Sequence, residues 1–117
     1  MENSRKTVGF LMTSSPEHQN SYTAFRLAEA LLVQGHSVEL FFMDDGIYNV
    51  VRNSAEERLF TGVQFLIEKG ANALICALSA ESRGYSSGDL IPQVGLMSQY
   101  ELSEIASRSD RFLYFGP

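Results

Sequence analysis

The chain has 117 residues and a hydrophobic fraction of 44%, enough for one domain, residues 1–117, with a real core and too small for two. Its formal net charge is −5, and its basic residues are scattered, so it lacks the clustered cations of a nucleic-acid binder. Apolar runs fall far short of the ~18 residues of a membrane helix, and Met1 to Lys6 carry no apolar block of a signal peptide, so a cytoplasmic protein away from the membrane is expected.

Thr7 to Met12 is a short apolar run with polar flanks, the profile of a central first strand. Thr13 to Asn20 breaks it with hydroxyl-rich sequence. From Ser21, apolar residues at Tyr22, Phe25, Ala28, Leu31 and Leu32 form a helical stripe, with Asn20 or Ser21 as N-cap and Gly35 as the stop after Gln34. Val38 to Met43 makes a second strand, ended by the turn signal Asp44-Asp45-Gly46. Strand, helix and strand at this spacing form a βαβ unit. Ile47 to Val51 is short for a core strand and could equally be a single helical turn, so its class stays open. From Ser54 to Lys69 the positions Leu59, Phe60, Val63, Leu66 and Ile67 recur at three- and four-residue steps, and Ser54 with Glu57 has capping-box spacing.

Gly70 ends that helix, and Ala73 to Leu78 follows as a continuous apolar run, suited to a strand covered on both faces. A polar loop from Ser79 to Pro92 leads to a short strand, Val94 to Met97. Ser98 and Glu101 again have capping-box spacing before a helix whose stripe is Leu102, Ile105 and Ala106. Phe112 to Phe115 is the last strand. The order predicts a doubly wound, flavodoxin-like α/β domain of about five parallel strands with helices on both faces.

Cys76, the one cysteine, can form no intramolecular disulfide and no multi-thiolate zinc site. It falls near the carboxyl end of its strand, where open α/β sheets place their ligand crevice, and this makes it a candidate nucleophile. The plainer reading is a buried thiol acting as a small hydrophobe. Arg83 would favour thiolate over thiol if it faced the sulfur, Glu81 would oppose this, and Gly84 permits close approach or a positive φ.

The Thr13–Asn20 loop precedes a helix and could hold a phosphate or flavin phosphate, yet it contains no glycine and reads equally as a plain βα loop. His18 there is a possible base or a solvated side chain, and His36 suits a helix-terminal cap. Adjacent Asp44 and Asp45 would point to opposite sides and read as a solvated turn. No G-x-S-x-G, H-E-x-x-H or Walker motif is present, which weakens hydrolase and metalloenzyme readings.

Ala24-Phe25, Ala28 to Leu31, Gly35-His36, Phe41-Phe42, Gly46 to Asn49, the segment Cys76 with Ala80, Arg83 and Gly84, and the ending Ser109-Asp110-Arg111 together resemble the DsrE/TusD-like (DsrE/DsrF family) sulfur-relay proteins along nearly the whole chain. The resemblance implies the DsrE-like fold. It also implies Cys76 as a sulfur-accepting nucleophile within an active-site loop that holds Ala80, Arg83 and Gly84. A sulfurtransferase-type persulfide carrier of this kind needs neither metal nor organic cofactor. Its partners would be sulfur donor and acceptor proteins, with self-association as a homotrimer or hexamer. The single arginine preceded by Glu81-Ser82 departs from the more apolar and basic segment of TusD-like members. Two other functions stay open: a non-catalytic assembly subunit, since several relatives lack the cysteine, and a nucleotide or flavin module using the first loop.

Overall fold

A computed structural model describes residues 4–52 and 62–117. Five strands, β1 (Thr7–Met12), β2 (Ser37–Phe42), β3 (Asn72–Cys76), β4 (Gly95–Met97) and β5 (Arg111–Phe115), form one sheet in the order β4-β3-β2-β1-β5. Every pairing is parallel. From β1 to β4 each crossover steps one strand in the same direction, so right-handed connections put their helices on one face; the return from β4 to β5 beyond β1 puts its helix on the other. Those helices are α1 (Gln19–Val33), α2 (Gly62–Glu68) and α3 (Ala77–Ser82), then α4 (Gln99–Arg108) on the return.

Strand alternation divides the core accordingly. Val8, Phe10 and Met12 of β1, Val38, Leu40 and Phe42 of β2, and Ala73 and Ile75 of β3 join Ala24, Ala28, Val63 and Leu66 in the larger cluster. The opposite parity gives a smaller one: Phe41, Cys76 and Ile105, with Leu11, Leu74, Met97 and Leu102 against it. Gly9 seats α4 on this face. A Cβ there would lie 2.7 Å from Ser109 Oγ, 2.8 Å from Ile105 and 2.9 Å from Phe112.

The expected strands and their parallel arrangement are found, with shifts at the boundaries. Helix α1 begins at Gln19 with His18 as N-cap, not Asn20 or Ser21. Ser21 is instead buried, its hydroxyl directed at the carbonyls of Ser14 and Ser15. The turn at Asp44 continues as a 3-10 helix to Asn49, so the open segment is helical from Ile47 to Asn49, while Val51 at its end makes an isolated antiparallel bridge to Leu90. The expected second helix is seen from Gly62; Ser54, Glu57, Leu59 and Phe60 lie outside the described residues.

The largest difference follows Cys76. The apolar run does not stay extended to Leu78, and the polar loop does not begin at Ser79, because α3 starts at Ala77. Ala-Leu-Ser-Ala-Glu contains good helix formers, and a glycine stop lies just beyond. At Gly84 (φ 85°) the chain closes in a Schellman arrangement, with Gly84 N donating to Glu81 O and Tyr85 N to Ala80 O. Helices α1 and α2 end in the same way at Gly35 and Gly70.

Candidate functional site

Cys76 is the last residue of β3 and the N-cap residue of α3, and its side chain makes no capping hydrogen bond. The sulfur therefore sits at the carboxyl edge of the sheet, uncommitted to the backbone it adjoins. The residue is 2% exposed. Its register partner on β4 is Met97, and the two strands diverge into different helices beyond this pair. Between those helices lies a cleft of about 640 Å³, with Cys76, Ala77 and Leu78 on one side and Leu96 to Gln99 with Glu101 on the other. Cys76 is thus packed against Phe41 and Ile105 while also forming part of the cleft wall.

Apart from the thiol, Glu101 is the ionisable group in that wall. Ser98 and Glu101 form the expected capping box: Ser98 N and Oγ donate to Glu101 Oε1 at 3.0 and 2.7 Å, and Tyr100 N donates to Ser98 Oγ. Hydrogen bonding from the Ser98 hydroxyl, then from its backbone N–H, holds the Glu101 carboxyl below the usual glutamate value.

Arg83 occupies a different direction. Its guanidinium donates to Asp45 Oδ1 at 3.0 Å and to Ser79 O at 3.4 Å, and Ser79 Oγ accepts from Asp44 N at 3.0 Å. Together these bonds tie α3 to the turn after β2. Asp44 and Asp45 therefore form more than a solvated turn. Asp44 holds a positive φ of 51°, and Asp45 is the partner of Arg83. Ala80 is buried in the larger core, Gly84 closes α3, and Glu81 is exposed.

The polar groups of the first loop are mostly engaged by neighbouring elements of the fold. Ser21 and Asn49 donate to its carbonyls, Thr13 Oγ1 and the Tyr114 hydroxyl share a 3.0 Å hydrogen bond, and the buried Ser14 hydroxyl has no partner among the described residues. His18 is exposed. His36 caps the end of α1 as expected, through its backbone: its N–H donates to Leu31 O, while its Nδ1 accepts from Lys6 N. Among the described residues no group of three or more His, Cys, Asp or Glu could hold a metal, and no helix is long and apolar enough to cross a membrane.

A strand-end cysteine beside an α/β cleft is shared by many chemistries, so kinship decides which to consider. The model of the DsrE/DsrF-like family matches residues 6–115. This chain belongs to that family. It is 29% identical over 100 residues to the uncharacterized protein MK0008 of Methanopyrus kandleri, covering 83% of each chain. It is 26% identical over 109 residues to the uncharacterized protein MJ0989 of Methanocaldococcus jannaschii, covering 90% of this chain and 96% of that one. Its fold is similar to that of the ychN protein of E. coli, with a TM-score of 0.81 and 22% identity over 96% of this chain and 100% of the other. MTH1491 of Methanobacterium thermoautotrophicum, described as of unknown function, gives 0.78 and 14% over 93% and 98%. DsrE membership places the chain in a sulfur-relay-type family.

Sequence reasoning located the cysteine but not its cleft. Leu78, Leu96, Met97, Ser98, Gln99 and Glu101 come together because β4 pairs with β3 in a register that puts Met97 beside Cys76. The Ser98–Glu101 capping box was a usable local signal. Its nearness to the thiol depends on strand order.

Proposed function

We propose that this DsrE/DsrF-like chain carries sulfane sulfur as a persulfide on Cys76. The observation that supports the reading is the placement of its one thiol at the carboxyl end of β3, in the wall of a cleft and free of capping duty. The Cys76 thiolate attacks the outer sulfur of a donor persulfide, R–S–SH. A new S–S bond forms as the donor's S–S bond breaks, giving Cys76–S–SH and the donor thiolate RS⁻. An acceptor thiolate R′S⁻ then attacks the outer sulfur in turn, giving R′–S–SH and regenerating the Cys76 thiolate. The net process transfers one sulfur atom without oxidation or reduction overall, so it calls on no metal or organic cofactor. Sulfur donor and acceptor proteins are the partners this reading implies.

Intact-mass spectrometry after incubation with a persulfide donor should show the gain of one sulfur atom, reversed by a thiol reductant. Cys76→Ser should stay folded and gain none, although an unpaired buried hydroxyl would cost about 1–3 kcal/mol. The competing reading, a non-catalytic assembly subunit, draws on the burial of Cys76. It prevails if the parent chain takes up no sulfur and its thiol resists alkylation until the protein unfolds.

A further inference from the structure

The Cys76 cleft is apolar on most of its surface, with Ala77, Leu78, Leu96 and Met97 in its walls. Among the described residues its one fixed charge is negative. Glu101 belongs to the wall, and Ser98 anchors one carboxylate oxygen through two hydrogen bonds. The cation of the cysteine segment does not offset it, because the Arg83 guanidinium is engaged by Asp45 and the Ser79 carbonyl. An anion approaching the sulfur would therefore meet a solvent-accessible carboxylate without a compensating cation among the described cleft residues, an interaction that salt screens.

Resting on the reading of Cys76 as the sulfur-accepting group, we infer that Glu101 is a specificity-determining residue, which admits uncharged, apolar-flanked sulfur carriers to Cys76 and holds back anionic ones such as thiosulfate. The carboxyl lies below its ordinary value, so the charge is present throughout the neutral range. Exposed Leu78 and Leu96 at the same cleft supply the apolar contact that an uncharged carrier would bury.

Iodoacetamide and iodoacetate test this directly, since they alkylate thiols by the same displacement and differ in charge, and the chain has one thiol to react. Relative to free cysteine, the parent's iodoacetate rate should fall roughly threefold to tenfold further below its iodoacetamide rate, and the deficit should shrink as salt is added. Glu101→Gln keeps a capping-box residue at this position; it should restore the free-cysteine ratio while leaving the iodoacetamide rate within about twofold. Glu104→Gln removes the same charge from a residue outside the cleft wall and should leave the ratio as in the parent.

An unchanged ratio in Glu101→Gln, or an equal change in Glu104→Gln, overturns the inference while leaving sulfur carriage by Cys76 intact. A parent thiol that reacts with neither reagent until the protein unfolds overturns both. Circular dichroism of each variant identifies a misfolded one. In that event the salt dependence of the parent's ratio decides: no narrowing with salt counts against the inference.

Discussion

Arg83 and Asp45 are 38 positions apart in sequence, yet their side chains meet at 3.0 Å. As a partly exposed pair with Asp45 largely in solvent, it should add no more than about 1 kcal/mol to stability. Its consequence is geometric, since it fixes α3 against the turn after β2 and thereby the first residues beyond Cys76. Two roles for Arg83 give opposite results when Asp45 is removed. If the guanidinium acted on the sulfur by charge, Asp45→Ala would release it and speed alkylation, whereas Arg83→Ala would slow it. With Arg83 as a positioning residue, both substitutions loosen the same tie and should shift the iodoacetamide rate in the same direction, the double variant adding little to either. Opposite shifts would restore the direct role that the sequence suggests. The cysteine, Arg83 and Gly84 were legible because their chemistry is local. The direction of Arg83 was not, because its partner comes from another strand's turn.

Among the elements, α4 most directly governs the cysteine. Ile105 is fully buried and packs with Phe41 and Cys76, while Leu102 lies partly buried beside them. The helix is further held by the Ser98–Glu101 box at its start and the ion pair of Arg108 with Glu39 of β2 near its end. Truncating Ile105 to Ala removes the one fully buried side chain of α4 and should destabilise the fold by about 2–4 kcal/mol in denaturant titration. The same substitution should speed alkylation of Cys76 well below the unfolding midpoint, because the cavity opens next to the sulfur. An unchanged rate would mean that reagents reach the thiol entirely from the cleft side. Helix α4 could be read in advance, since its capping box and apolar spacing are strong local signals. Helix α3 could not: it is six residues long, and its first two are apolar and continue the strand's hydrophobic run without a break.

At the scale of the whole molecule, the strand order leaves the two faces unequally covered. Helix α4 passes over Gly9 of β1, and both edges of the sheet retain exposed apolar side chains. At the β4 edge these are Leu78 and Leu96 beside the cysteine cleft; at the β5 edge they are Phe112 and Tyr114. The parallel α/β architecture was legible from alternating strand and helix patterns, whereas this asymmetry follows from β5 inserting beyond β1, which periodicity does not encode. Association through the β5 edge would bury exposed aromatics on the far side of the sheet from Cys76 and leave its cleft open to a carrier. Light scattering at micromolar concentration should accordingly give a multiple of the 13.0 kDa chain mass. Phe112→Asp should drive the assembly toward monomer with the alkylation rate of Cys76 unchanged, while Leu96→Asp should alter that rate and leave the mass as it was. A parent chain that scatters as a monomer would remove the reason for treating the β5 edge as an interface, and a monomer produced by Leu96→Asp would move the interface onto the cleft itself.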